Sequence, residues 1–230
     1  MSPNPDLGKP HFSYVIKENF SHYREFILQS SATPINFPKG ATISQSGTKS
    51  PGVYFLLSGI VRISTLNTNG YARILGYHKA NTFFAMDAMN PDRKLILTST
   101  AVTPVSALHI PPKTLAAFVR ANPDFAFDML MYCGDLLRLM CHDAESQYGM
   151  SVLFKLANFI VLYMQGDNLG TGDFLPLSQY ELASAIGVSR IQVARLCAEL
   201  KKQGHIDIKK RRLYILNPEF FSDYVMGTDG

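Results

Sequence analysis

LSQYELASAIGVSRIQVARLCAELKKQ, Leu177 to Gln203, is the segment from which the architecture can be worked out. Ser178 precedes Glu181 by three residues, and Ser189 precedes Gln192 by three. Each pair is a capping box, in which the hydroxyl accepts a backbone N–H and the longer side chain reaches back to the cap. Leu182, Ala185 and Ile186 form the apolar face of a first helix. Gly187 ends it, because glycine enters the left-handed conformation without steric cost. Val193, Leu196, Cys197 and Leu200 make the buried stripe of a second helix. Arg190, Ile191, Ala194 and Arg195 lie off that stripe, near its start. Two such helices form a helix-turn-helix, which places the N-terminal end of its second helix in the major groove of DNA.

The alternative is a helical hairpin with a solvated basic face. The residues beyond Gln203 argue against it. Ile206–Ile208 and Leu213–Ile215 alternate like strands around Lys209, Lys210, Arg211 and Arg212, the pattern of a wing. From Arg190 to Arg212 there are eight Lys/Arg against Glu199 and Asp207, a local charge of +6 in a chain whose total is +4. Positive charge gathered beside a reading helix is the electrostatic footprint of phosphate binding.

Outward from this segment the chain changes character twice. Residues 35 to 110 are short strands broken by Gly, Pro and Asn: the turn at Phe37–Gly40, the run Val53–Leu57, the alternation Ile60–Leu66, and a hairpin loop at Asn67–Gly70. Tyr71–Tyr77, Leu95–Thr100 and Val105–Ile110 complete the set, which predicts a β-sandwich or barrel. From Asn122 the period becomes helical. Phe125, Met129, Tyr132, Leu136, Leu139 and Asp143 are spaced by alternating fours and threes, a coiled-coil seam that predicts pairing with a second copy. The other possibility is a helix packed on its own domain. Met150–Gln165 is a further apolar helix, with a hinge at Gly149 or beside it. The chain, 230 residues and 47% hydrophobic, holds one large or two modest domains. No apolar run is long enough to cross a membrane. MSPNPDLGKPHF lacks the pattern of a secretory signal and reads as a loose arm. Three cysteines without CxxC spacing suit a reducing cytoplasm.

Taken together, Pro38-Lys39-Gly40, the run Leu56–Ile63 and Leu177 through Leu200 resemble the CRP/FNR family of bacterial transcription regulators, over roughly residues 35 to 216. The resemblance implies an α+β chain: a double-stranded β-helix (jelly-roll) barrel of the cyclic-nucleotide-binding type at residues 1–121, a dimerisation helix at 122–149, and a winged helix-turn-helix at 150–230. It further implies a homodimer on a palindromic operator, a small effector in the barrel, contact with RNA polymerase, and a place in the cytoplasm. The branch that controls anaerobic respiration on halogenated aromatics is similar, less specifically.

The departures are informative. The cyclic-AMP branch carries Gly-Glu-Leu and a later Arg-Ser or Arg-Thr; here those stretches are Phe83–Asp87 and the region of Leu95–Ile96. Without the arginine a cyclic phosphate loses its partner. An iron–sulfur cluster needs four thiolates, and this chain has three cysteines. Haem would need axial ligands, and His78 alone is a weak candidate. Neither a cofactor nor a metal is therefore expected. Tyr71, Arg73, Tyr77, Phe83, Phe84, Met86, Met89, Leu95, Leu97 and Tyr132 instead suggest a pocket for an apolar or aromatic effector, with an acid group held by Arg73 or tyrosines.

On the DNA side the resemblance marks Arg190, Ile191, Gln192 and Arg195, with Arg195 forking onto guanine or making the central contact. Ile191 stands where a base-reading Glu is usual, which favours thymine methyl groups and a T/A-leaning half-site. Ser178, Gln179, Ser189, Lys201, Lys202 and Lys209–Arg212 complete the expected contacts, mainly to phosphate. No GxSxG, HExxH or P-loop is present, and His78, Asp87 and His109 are scattered, so an enzyme is not expected. The remaining alternative is a factor that needs no effector, or one switched by thiol redox at Cys133, Cys141 or Cys197, all placed on helices that look buried.

Overall fold

The computed structural model describes residues 13–50, 52–66, 72–147, 149–165, 174–175, 177–209 and 212–224. The strands are β1 (Val15–Ile16), β2 (Thr33–Phe37), β3 (Thr42–Ser44), β4 (Val53–Ser58), β5 (Val61–Leu66), β6 (Ala72–His78), β7 (Phe83–Phe84), β8 (Thr98–Ala101), β9 (Val105–Ile110), β10 (Phe174–Leu175), β11 (Ile206–Lys209) and β12 (Arg212–Ile215). The helices are α1 (Arg24–Leu28), α2 (Pro112–Ala121), α3 (Pro123–Gln147), α4 (Val152–Gln165), α5 (Gln179–Ile186), α6 (Arg190–Lys202) and α7 (Pro218–Ser222). They divide into two compact units. One runs from Ile16 to Leu137; the other comprises Arg138 onward and the N-terminal side as far as Val15.

The first unit is built on two sheets, in orders β1-β6-β5-β8-β3 and β2-β9-β4-β7. Strand alternation divides its apolar side chains between two cores. Tyr54, Leu56, Val61, Ile63, Phe84, Ala85 and Val105 belong to one. Phe55, Phe83, Leu108 and Ile110 belong to the other, with Phe20, Ile27, Leu115, Phe118, Phe125, Met129 and Tyr132 of the surrounding helices and turns. The second core is aromatic. Phe83 and Tyr132 both meet the Phe20 ring edge-on, at centroid distances of 4.9 and 5.3 Å. Gly59 closes the β4–β5 turn at φ +95°, and a Cβ there would run into the carbonyl oxygen of Pro104.

Helix α3 starts on Asn122, whose side-chain oxygen accepts the Phe125 N–H at 3.1 Å. Its predicted pairing seam is a correction. Phe125, Met129 and Tyr132 are buried, and Leu136 partly so, in the barrel's own aromatic core. Leu139 is also buried, and Asp143, buried too, accepts the Tyr14 hydroxyl at 3.1 Å. The helix carries two apolar stripes, and sequence spacing does not say which one its own domain takes. The other stripe is exposed: Phe127 62%, Leu130 67%, Met131 54% and Leu137 64%.

In the second unit, α4 is the centre. Leu156, Ala157, Phe159, Ile160, Leu162 and Tyr163 are all buried. The residues beyond the expected loose arm are tied down. Ser13 Oγ donates to the Leu162 carbonyl at 2.8 Å, and the Tyr14 ring lies 5.1 Å from that of Phe159. The arm itself, residues 1–12, lies outside the described residues, as does the expected loop Asn67–Gly70. Strands β10-β12-β11 form the wing sheet, with Ile206 opposite Ile215 and Lys209 opposite Arg212. Among the described residues no helix is long and apolar enough to cross a membrane.

Candidate nucleic-acid interface and sensor barrel

Both capping boxes form. Ser178 Oγ accepts the Glu181 N–H at 3.2 Å, and Glu181 Oε2 accepts the Ser178 N–H at 2.9 Å. Ser189 Oγ accepts the Gln192 N–H at 3.3 Å, and Gln192 Oε1 accepts the Ser189 N–H at 3.0 Å. Between them Gly187 adopts φ +66°, ψ 35°, and turns the chain from α5 into α6. The apolar stripes close as expected: Leu182, Ala185, Ile186, Val193, Cys197 and Leu200 are buried, while Leu196 is half-buried.

This packing leaves one face of α6 in water. Ser189, Arg190, Ile191 and Arg195 are exposed on its N-terminal half, with Ile191 at 65%. Gln192 is exposed too, but its amide oxygen is committed to the cap, accepting from both the N–H and the hydroxyl of Ser189. It holds the helix start in shape, the capping role that the Ser-x-x-Gln spacing predicts, which leaves that oxygen engaged rather than free for a base. Ser178, Gln179, Arg190 and Arg212 come together around a cleft of about 510 Å³, with Tyr180, Ile208 and Leu213. Tyr180, 57% exposed in the first turn of α5, escaped the sequence reading because one aromatic on a polar helix start carries no signal.

The predicted phosphate contacts divide. Lys202 is exposed at the end of α6. Lys201 and Lys209 both bind Asp207, at 2.8 Å each. These two ammonium groups and the Ile208 N–H hold the Asp207 carboxyl well below the usual carboxylate range. Lys210 and Arg211 lie outside the described residues.

In the barrel, the predicted effector residues do not line one space. Phe83, Leu95 and Tyr132 are buried in the outer, helix-covered core, with Met86 against it, whereas Phe84 and Leu97 belong to the other core. The cause is the period of two: Phe83 and Phe84, adjacent on β7, point to opposite faces. Tyr77 is buried, Arg73 half-buried and Met89 exposed; Tyr71 lies outside the described residues. Tyr132 has a structural task. Its hydroxyl donates to the Phe83 carbonyl at 2.6 Å, locking α3 onto β7. His78 lies in the same polar pocket, 3.3 Å from Thr82 Oγ1, and burial pushes its pKa down to about 3, so the ring is neutral.

At the cassette position, Ala85 takes the left-handed conformation, φ 56°, ψ 42°, that a glycine adopts more easily. Two residues on, Asp87 Oδ2 accepts the N–H groups of both Ile96 and Leu97, at 2.9 and 3.0 Å. A carboxylate of the chain itself thus occupies the amides of the later cassette stretch. Of the three thiols only Cys197 is buried; Cys133 is partly buried and Cys141 exposed, which corrects the expectation that all three are shielded.

A jelly-roll barrel followed by a long helix and a winged helix-turn-helix defines a class of DNA-binding regulators. Two family models match the chain, the cyclic nucleotide-binding domain over residues 34–122 and the Crp-like helix-turn-helix domain over 154–224. The global nitrogen regulator of Nostoc sp. is 26% identical over 190 residues, covering 79% of this chain and 84% of its own. The CRP-like cAMP-activated global transcriptional regulator of Mycobacterium tuberculosis is 21% identical over 196 residues, covering 84% and 88%. Among solved structures, CprK complexed with OCPA superposes with a TM-score of 0.67 at 18% identity, covering 92% of this chain and 100% of that one. This chain is a DNA-binding transcription regulator of the CRP/FNR family, not an enzyme.

Proposed function

We propose that this regulator works as a homodimer on a palindromic operator. The observation that carries the reading is the exposed N-terminal face of α6, where Arg190, Ile191 and Arg195 stand in water while the opposite face is sealed. An apolar side chain left exposed beside two arginines suits thymine methyl contact next to guanine readout. The dimer uses the second stripe of α3. Phe127, Leu130, Gly134 and Leu137 have the spacing of a coiled-coil seam, and Gly134 has open space where a Cβ would stand, so helices approach closely there. A two-fold axis along that stripe presents two reading helices to two half-sites. Selection of binding sites from random duplex DNA tests the reading. A two-fold symmetric, T/A-leaning site supports it; enrichment of no sequence, or of an unrepeated one, overturns it.

The effector is proposed to be a small apolar or aromatic molecule rather than a cyclic nucleotide. Asp87 supports this, because its carboxylate already holds the amides of Ile96 and Leu97 and repels a second anion there. The core made by Tyr54, Ile63, Phe84 and half-buried Leu97, apart from the helix-covered aromatic one, is the apolar surface such a ligand would meet. Names among the relatives and structural neighbours include cAMP-activated, c-di-GMP-responsive and OCPA-complexed proteins, so one fold serves unlike ligands. Thermal-shift titration with aromatic acids and with cyclic nucleotides separates the cases. Stabilisation by the nucleotides alone would reject the proposal. Exposed Cys141 favours one competing reading, control by thiol oxidation. Oxidant-dependent DNA binding that disappears in Cys141→Ser would establish it instead.

A further inference from the structure

Asp207 stands on β11 opposite Tyr214 of β12. Its Oδ1 lies 2.8 Å from the Nζ of Lys201 in the last turn of α6. Its Oδ2 lies 2.8 Å from the Nζ of Lys209, two residues along the same strand. Oδ1 also accepts the Ile208 N–H at 2.8 Å. One carboxylate therefore joins the end of the recognition helix to the wing. The two lysine side chains are 53% and 69% exposed, whereas Asp207 is 19% exposed and sits behind them.

Resting on the DNA-binding reading of the winged helix, we infer that Asp207 is an internal competitor for DNA phosphate, restraining binding to any duplex by about one effective charge. The cluster of Lys201, Asp207 and Lys209 presents one net positive charge where two ammonium groups alone would present two. Exposed ion pairs are weak, so an arriving phosphate can displace the carboxylate from either lysine. The carboxylate remains in the interface after displacement and still opposes the phosphates. Each effective charge contributes about −0.9 to the slope of log affinity against log salt. Over a fourfold rise in salt that slope is worth roughly 3.5-fold in affinity. Phosphate contacts carry no sequence information, so operator and random duplex are restrained alike.

The test uses the full-length protein and fluorescence anisotropy, with a duplex selected from random sequence and a scrambled duplex, between about 50 and 200 mM KCl, a range over which phosphate contacts are strongly salt-sensitive. Asp207→Asn should bind both duplexes more tightly at low salt, with a slope steeper by about 0.9. Asp207→Ser, a second neutral variant, should match it, and Asp207→Glu should keep the wild-type slope. Glu199→Gln makes the same change in charge away from the clamp and should steepen the slope less. An unchanged or flatter slope in Asp207→Asn and Asp207→Ser overturns the proposal, as does equal steepening by Glu199→Gln. Wild-type protein without salt-dependent duplex binding would overturn the DNA reading itself, a result distinct from failure of the clamp.

Discussion

Ile191 and Arg195 show what single residues contribute to an otherwise shared scaffold. The scaffold leaves the start of α6 exposed, and under the proposed reading these side chains decide which bases it favours. Arg195→Ala should cost operator binding about 1–3 kcal/mol, the worth of a bidentate guanine contact, and cost random duplex much less. Anisotropy with both duplexes measures the difference. Ile191→Glu should move the selected half-site towards cytosine, since Glu accepts from the cytosine amino group. His78 makes a prediction about acid stability. Its folded pKa, about 3, lies below the ordinary value of 6.5. Between those values the unfolded chain binds a proton that the folded barrel excludes. Stability from this site is complete above about pH 6.5 and declines on acidification by up to ~1.4 kcal/mol per pH unit, until about pH 3. Urea midpoints at about pH 7 and about pH 5, on either side of the ordinary histidine value, should therefore differ less in His78→Gln than in wild type.

At the scale of elements, the two helices of the DNA-reading motif are local structures in the strict sense. Their caps, their turn and their apolar stripes all lie between Leu177 and Gln203, and each is legible without any tertiary contact. Ser189→Ala removes the hydroxyl that accepts the Gln192 N–H and releases Gln192 from the cap. It should lower the stability of the winged-helix unit by about 1 kcal/mol and weaken operator binding, because the frayed turn carries Arg190 and Ile191. Denaturant melts and anisotropy on the same samples measure both effects. The wing is legible for the same reason, as two alternating runs around basic residues. The Asp207 clamp is not, because it joins a helix end to a strand by side-chain geometry. A count of charges treats Lys201 and Lys209 as available cations; their distances to Asp207 show that they are engaged.

At the scale of the whole molecule, the two stripes of α3 carry the largest disagreement between sequence and structure. Leu130→Glu combined with Leu137→Glu should leave the fold intact, since both side chains are exposed, and should produce monomers by analytical ultracentrifugation with weakened binding to a full palindrome. Phe125→Ala should instead destabilise the barrel by about 3–5 kcal/mol, as its ring is fully buried in its own chain. The order of barrel, long helix and winged helix-turn-helix and the polar, arginine-bearing start of α6 are written in the order of the amino acids. They are consequences of short-range periodicity, capping chemistry and residue type, which need no partner to be recognised. Folding in three dimensions settles which stripe of α3 its own barrel takes, which core each of Phe83 and Phe84 joins, and that Asp87 and Asp207 already hold groups otherwise free for anions. Each depends on which of several chemically acceptable partners is near in space, and separation along the chain does not encode that.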